Sequence, residues 1–295
     1  MNLFKTLTFL FIITISGALH AQKMDIGVML GGSYYYGDVV NELEPSTIRP
    51  AFGGFLRYRL TDRFAVKGFL GYTKVSGDDA LSSSQWQRER NWSFESSIFE
   101  TSAQLEFNLI EDRNRGRRFS NPFIPYLFGG FGFFSFNPTS EVAGVSYSVA
   151  PLQLSGKSYS TSAYSIPLGI GFRYYVAKNI QLGFELGIRY TTTSNIDDIA
   201  PEDTYVDPNT TPNPTLTNLF YAKSTANKNP GDLRSKMGTV KDSYGSNSIN
   251  QIIAGSDFYF FNGITFAYTL GKTSGGGSGR RGGSYGKAIR CPRFY

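Results

Sequence analysis

Phe99-Glu100-Thr101-Ser102-Ala103-Gln104-Leu105-Glu106-Phe107-Asn108-Leu109 sets Phe99, Ala103, Leu105, Phe107 and Leu109 against Glu100, Ser102, Gln104, Glu106 and Asn108. Successive side chains of a strand point to opposite faces, so this alternation describes a strand between a greasy and a polar environment. The pattern occurs eight times along the chain. Met24, Ile26, Val28 and Leu30 alternate with Asp25, Gly27, Met29 and Gly31. Phe52, Leu56, Tyr58 and Leu60 oppose Gly53, Arg57 and Arg59, and Phe64, Val66, Leu70 and Tyr72 oppose Ala65, Lys67, Gly71 and Thr73. After the quoted strand comes a segment around residues 126–136 that is aromatic on both faces, so its register stays open. Ile166, Leu168, Ile170, Phe172 and Tyr174 then oppose Ser165, Gly169, Gly171 and Arg173. Ile180, Leu182, Phe184, Leu186, Ile188 and Tyr190 oppose Gln181, Gly183, Glu185, Gly187 and Arg189. The last segment, residues 257–270, carries Phe260, Ile264, Phe266, Tyr268 and Leu270.

A soluble sandwich also alternates, so the connections decide. A membrane barrel with both termini in the periplasm has short turns after its even strands and long loops after its odd ones. Thr61-Asp62-Arg63 and Ala177-Lys178-Asn179 are tight turns after the second and sixth strands. Every connection after an odd strand is longer, and the last spans residues 194–255, rich in Pro, Asn, Thr and Asp. The expected fold is therefore all-β: an eight-stranded antiparallel transmembrane barrel of the outer membrane, with long extracellular loops and a flexible periplasmic C-terminal tail.

The ends of the chain agree with export. Lys5 followed by an apolar run over residues 7–19 and the small Ala21 is the layout of a secretory signal peptide, too short to span a bilayer. We expect a signal peptide over residues 1–21, the barrel over residues 22–271 and a Gly-rich basic tail over residues 272–295. No cysteine near the cleavage point suggests a lipid anchor, and no run of about 20 apolar residues follows that could form a transmembrane helix. Aromatics make up 16% of the chain, with 33 Gly and only 18% charged residues, a mixture suited to twisted strands, aromatic girdles and turns.

An eight-stranded barrel fills its interior with its own side chains. Here Arg57, Arg59, Lys67, Arg173 and Arg189 share the inward face with Asp25, Glu100, Glu106 and Glu185. Charges taken out of water need partners, so the expectation is a lumen plugged by ion pairs. The lone histidine, His20, lies in the leader, and the lone cysteine is Cys291. A mature chain without imidazole has no Ser-His or Cys-His nucleophile and lacks the commonest metal ligand, so neither catalysis nor a cofactor or metal site is expected. A hydrolase would have to rely on carboxylate or Ser-Lys chemistry.

Charge concentrates at two places. The tail holds Lys272, Arg280, Arg281, Lys287, Arg290 and Arg293 and no acidic residue, which equals the whole-chain excess of +6. The connection after the fourth strand holds Arg113, Arg115, Arg117 and Arg118 beside Glu111 and Asp112. Basic residues near a membrane attract anionic head groups; the sharper reading is a periplasmic docking surface made of Arg113, Arg115, Arg117, Arg118, Arg280, Arg281, Lys287, Arg290 and Arg293. Asp197, Asp198, Glu202, Asp203 and Asp207 cluster on the long loop without EF-hand spacing, and a solvated acidic loop is expected rather than a calcium site. Asp78-Asp79 is read as a turn former rather than a catalytic carboxylate pair. Gly271-Lys272-Thr273 lacks the earlier glycine of a phosphate loop, Phe266 standing in its place. Export argues against a nucleic-acid role for the glycine-arginine tail.

Particular words of the sequence add a family resemblance. Tyr36-Gly37-Asp38, Arg49-Pro50-Ala51-Phe52-Gly53, Ser76-Gly77-Asp78-Asp79-Ala80, Arg88-Glu89-Arg90-Asn91 and Ser93-Phe94 resemble the PorG family of outer-membrane barrels. So do Leu105-Glu106-Phe107-Asn108, Pro125-Tyr126-Leu127-Phe128-Gly129-Gly130, Phe136-Asn137-Pro138, Ile166-Pro167-Leu168-Gly169, Thr204-Tyr205-Val206-Asp207-Pro208 and Cys291-Pro292-Arg293-Phe294. The resemblance implies a component of the type IX secretion and gliding machinery that associates with a periplasmic ring of PorK-like and PorN-like proteins. It carries no catalytic residues, and the glycine-rich stretch of the tail has no counterpart in the family pattern. The competing readings are a stand-alone adhesin-like or structural barrel using its outer loops, and a passive pore.

Overall fold

The computed structural model describes residues 24–37, 39, 44–83, 85–113, 121–154, 156–199, 206–223 and 257–270. The expected leader, the tail, Arg115, Arg117, Arg118, Glu202 and Asp203 lie outside them.

Nine strands are present among the described residues: β1 (Met24–Tyr36), β2 (Arg49–Arg59), β3 (Phe64–Asp78), β4 (Ser93–Asn108), β5 (Phe123–Val142), β6 (Val145–Ser148), β7 (Ser162–Ala177), β8 (Ile180–Thr191) and β9 (Phe258–Leu270). All neighbours pair antiparallel in the order β4-β3-β2-β1-β9-β8-β7-β5, and a further β4–β5 pairing closes the ring. The barrel thus has eight strands. The ninth, β6, forms a short hairpin with the end of β5. The shortest barrel strand, β2, has 11 residues, as many as a tilted strand needs to cross a bilayer.

A broad band of the outer wall is greasy. Ile26, Val28, Leu30, Phe52, Leu56, Val66, Leu70, Leu105, Leu127, Leu168, Ile170, Leu182 and Phe266 are all exposed. A continuous apolar surface of this size is untenable in water and natural in lipid. Aromatic pairs ring it at both ends: Phe64 with Phe107 and Phe123 with Phe172 where the connections are short, Tyr36 with Phe258 and Phe133 with Tyr164 where they are long. The turns over residues 60–63 and 178–179 mark the first end, the turn end. The opposite end is the loop end.

Register follows from the alternation. Lys67 stands opposite Arg57 and Gln104, and Glu106 opposite Ala65 and Phe128, so charged inward positions of adjacent strands share a level. The open register of the fifth segment resolves with Ile124, Tyr126, Phe128, Phe134 and Phe136 inside and Phe123, Leu127, Phe131 and Phe133 outside. Along the β1–β9 seam Gly31 faces Gly263. A Cβ on Gly31 would lie 1.8 Å from the carbonyl oxygen of Asn262, so these backbones approach only because that side chain is absent.

Several strands run further than the alternation predicts. At the loop end, Ser33, Tyr34 and Tyr35 are all buried in succession, as are Val75 and Ser76. There the wall rises above the lipid and loops cover its outer side, so both faces are packed and the period of two disappears. The long connection after β8 is also partly folded, with a helix over Pro214–Tyr221, here α2; α1 is Gln85–Arg90 in the connection after β3. Asn213 caps α2 by accepting the N–H of Leu216. Among the described residues no helix is long and apolar enough to cross a membrane.

Candidate functional site

The barrel lumen is filled by charge. Nearest the turn end, Asp25 of β1 forms an ion pair with Arg59 of β2. Arg59 Nη2 also donates to Thr269 Oγ1 at 2.9 Å, and Thr269 Oγ1 donates to Asp25 Oδ1 at 2.7 Å. At mid-depth Glu106 of β4 gathers three cations: Arg57 Nε at 2.7 Å, Arg173 Nη1 at 2.9 Å and Lys67 Nζ at 3.6 Å. Lys67 donates to both oxygens of Glu185, at 2.8 and 2.9 Å, and the Tyr126 hydroxyl donates to Glu185 Oε1 at 2.6 Å. Towards the loop end Arg189 Nε donates to Glu100 Oε1 and Oε2 at 3.2 and 3.1 Å, and the Tyr259 hydroxyl reaches Glu100 Oε2 at 2.8 Å. Aromatic faces cover the cations: the Lys67 ammonium lies 4.8 Å from the Phe128 ring centre, and the Arg57 guanidinium 4.9 Å from that of Phe55.

All nine residues read from the sequence as inward charges, Asp25, Arg57, Arg59, Lys67, Glu100, Glu106, Arg173, Glu185 and Arg189, are buried in this lumen. A tenth joins them. In the sequence Asp112 sits with the basic turn after the fourth strand, but its N–H donates to the carbonyl of Asp62 and folds the chain back over the barrel mouth. Its carboxylate is buried, accepts from the Tyr175 hydroxyl at 2.6 Å, and stands 3.9 Å from both Arg59 and Arg173. With Asp112, five cations and five carboxylates of the described residues share the lumen, and their formal charges cancel. Sequence periodicity could not find Asp112, because it lies beyond the strand end. Tyr126, Tyr175, Gln181 and Tyr259 were readable in principle, since each occupies an inward position of its strand.

Arg113, by contrast, stays on the outer rim of the turn end. It pairs with Glu111, which Arg63 also approaches at 3.3 Å. The hydrogen bond from Arg113, aided by Arg63, holds the Glu111 carboxyl below its usual range. Arg113 is the one residue of the predicted basic docking surface that lies within the described residues.

At the loop end a roof closes the lumen. Trp92, Ile196, Ile199, Leu152, Leu154 and Phe220 are buried in one apolar cluster with the upper barrel residues Tyr35, Phe94, Phe134 and Phe136. Asp79 follows β3, forms an ion pair with Arg90 of α1 and accepts the Trp92 N–H at 2.9 Å, while Asp78 accepts the N–H of Ala80. Burial pushes the Asp79 carboxyl above its usual range, against the pull of Arg90. Burial likewise lowers the Lys223 ammonium, whose Nζ donates to the carbonyl of Glu141 at 2.7 Å. The acidic loop is not solvated at its start, contrary to the sequence expectation. Asp197 and Asp198 are buried in the roof, accepting from the Tyr35 and Tyr159 hydroxyls at 2.7 and 2.6 Å, because the loop folds onto the barrel rather than into water. Asp207 keeps to a turn, accepting the N–H of Asn209. No group of three or more His, Cys, Asp or Glu among the described residues is placed to hold a metal ion.

Closed ring, greasy exterior, aromatic girdles and a charge-filled interior together define an eight-stranded transmembrane β-barrel of the outer-membrane type. Within that class the chain belongs to the family DUF6089, a domain of unknown function, whose match covers residues 4–213. Solved structures similar in fold include Neisserial surface protein A, 10% identical over 84% of this chain and 97% of that one with a TM-score of 0.38. OprG from Pseudomonas aeruginosa is 9% identical, with 84% and 98% covered and a TM-score of 0.41. Ail of Yersinia pestis, solved with the heparin analogue sucrose octasulfate, is 10% identical, with 83% and 98% covered and a TM-score of 0.36. No curated protein sequence matches the chain.

Proposed function

We propose that this barrel is a non-enzymatic, non-conducting anchor in the outer membrane that positions a periplasmic ring complex of the type IX secretion and gliding machinery. The observation that supports the anchoring part is the lumen: among the described residues, five cations and five carboxylates are buried and paired across it, a packing that favours neither ion passage nor substrate binding. A barrel that neither transports nor catalyses acts through its surfaces. The secretion role rests on the colinear resemblance to PorG-like barrels, from Tyr36-Gly37-Asp38 to Cys291-Pro292-Arg293-Phe294.

In this reading both termini are periplasmic, and the turn end presents Arg113, Arg115, Arg117 and Arg118 together with tail residues Arg280, Arg281, Lys287, Arg290 and Arg293. Such a surface suits acidic faces of PorK-like and PorN-like ring proteins, with lipid as the only other partner and no nucleic acid or small molecule bound. Affinity purification from the native envelope, followed by mass spectrometry, tests it. The wild-type protein is expected to bring down periplasmic partners, and reversal of Arg113, Arg115, Arg117 and Arg118 to Glu to reduce their recovery at least about tenfold. Recovery of no periplasmic partner by the wild type would instead favour a stand-alone adhesin-like barrel, a reading supported by the folded roof at the loop end.

A further inference from the structure

We propose that the lipid-facing wall over β2, β3 and β4 holds one phosphorylated lipid, its phosphomonoester headgroup bound by Lys74 and Arg49 and an acyl chain laid along β4. Lys74 of β3 lies one outward position above Tyr72, and Glu95 of β4 lies two outward positions above Phe99. Tyr72 and Phe99 are directly paired and both exposed on the greasy band. One outward position above Lys74, Ser76 is buried, its hydroxyl donating at 3.2 Å to the carbonyl of Thr47 in the short turn Pro45–Thr47. Lys74 therefore stands where bare wall gives way to loop-covered wall, at the level of the lipid headgroups.

The charge at this place does not balance. Lys74 Nζ donates to Glu95 Oε1 at 2.7 Å, and Arg49 Nε lies 3.5 Å from Glu95 Oε2. Arg49 Nη1 also donates to the Ser46 carbonyl at 3.3 Å. Two cations share one carboxylate, which leaves the trio at a formal +1, and all three side chains are more than a third exposed. Among the described residues Glu95 is the only acceptor of the Lys74 ammonium, which has three N–H donors, and a guanidinium has five. Donors of both cations thus remain for an anion in the headgroup layer. A phosphomonoester carries about −1.5 to −2 near pH 7 and has three terminal oxygens, so it accepts from both cations at once and is drawn more strongly than a singly charged diester.

The wall below supplies a place for the chain. Down β4 the outward residues after Phe99 are Thr101 and Ala103, and Gly68 of β3 stands beside Ala103. A Cβ built on Gly68 meets nothing within 4 Å. Phe131 and Phe133 of β5, opposite Ala103 and Thr101, rise on one side, Phe131 with 77% of its surface exposed, and Leu70 of β3 rises on the other. The result is a shallow trough leading from the charged trio towards the middle of the membrane. From Lys74 down to Gly68 is about 20 Å of strand, which a tilt of about 45° turns into roughly 14 Å of depth, close to half of a hydrocarbon core about 30 Å thick. The assignment needs only a barrel in a membrane and stands apart from the secretion role.

Native mass spectrometry of the full barrel released from detergent micelles tests this, with dioleoyl phosphatidic acid as the phosphomonoester probe and dioleoyl phosphatidylglycerol as a phosphodiester with the same chains. The wild type is expected to retain one phosphatidic acid with an apparent affinity at least about tenfold above that for phosphatidylglycerol. Changing Lys74→Ala together with Arg49→Ala is expected to abolish that preference. Glu95→Gln, which raises the site to +2, is expected to strengthen retention severalfold, and Ala103→Phe, which fills the trough, to weaken it. Inorganic phosphate at the same concentration has no chain to offer and is expected to displace none of the lipid. Heat-modifiable gel mobility checks that each variant is folded. Equal retention of the two lipids, a preference that survives the double alanine change or falls in Glu95→Gln, retention indifferent to Ala103→Phe, or displacement by inorganic phosphate overturns the inference.

Discussion

Glu106 shows how unevenly energy is distributed among similar side chains. It lies at the centre of the lumen with Arg57, Arg173 and Lys67 around it, whereas Glu95, partly exposed at the barrel's outer face, pairs with Lys74 and Arg49 in water. Removing one partner of a buried ion pair leaves an uncompensated charge and costs about 3–5 kcal/mol, while an exposed pair contributes about 0–1 kcal/mol. Glu106→Gln is therefore expected to lower unfolding stability by several kcal/mol and Glu95→Gln by less than about 1 kcal/mol. Urea titration of the barrel in lipid vesicles, followed by tryptophan fluorescence, measures both. Equal effects would show that the lumen is wet enough to screen its charges.

At the scale of the strand, alternation made most of the fold legible, since membrane and lumen differ so sharply that every second residue records which it faces. All eight barrel strands follow from it. What it left out is equally physical: the upper ends of β1 and β3 are packed on both faces, and β6 and α2 lie in connections beyond the membrane wall, where no contrast of lipid against lumen remains to be recorded. Glycine placement matters most at the β1–β9 seam, where Gly31 faces Gly263 and a side chain would strike the Asn262 carbonyl. Because these two strands join the ends of the barrel sequence, Gly31→Val is expected to block closure rather than merely weaken it. The folded fraction, read as the fast-migrating band of an unheated gel, is expected to fall more than roughly tenfold, with Gly68→Val, at a site with open space around it, folding normally.

For the whole molecule, the lumen decides whether the barrel conducts. Among the described residues five cations are met by five carboxylates, so these groups carry no net charge, and Phe55, Phe69, Phe128 and Phe261 pack among them. In a planar bilayer the purified barrel is expected to show no steps of conductance under applied voltage, and discrete openings would identify a pore. Nine of these ten charges were visible in the sequence through strand parity. Asp112 was not, because a chain that folds back after leaving its strand obeys no period; its neighbours Glu111 and Arg113 do remain on the rim.

The cross-links between distant strands also constrain how such a molecule is assembled. Lys67 and Glu185 are separated by 118 residues, Arg189 and Glu100 by 89, and Tyr259 and Glu100 by 159. None of these contacts forms in a partial sheet, and a half-built wall pressed into acyl chains would carry naked charges into oil at several kcal/mol each. Insertion and ring closure are thereby coupled into one concerted event: the polar groups keep their water until the last seam zips, and partly built intermediates have no stable resting place in the bilayer.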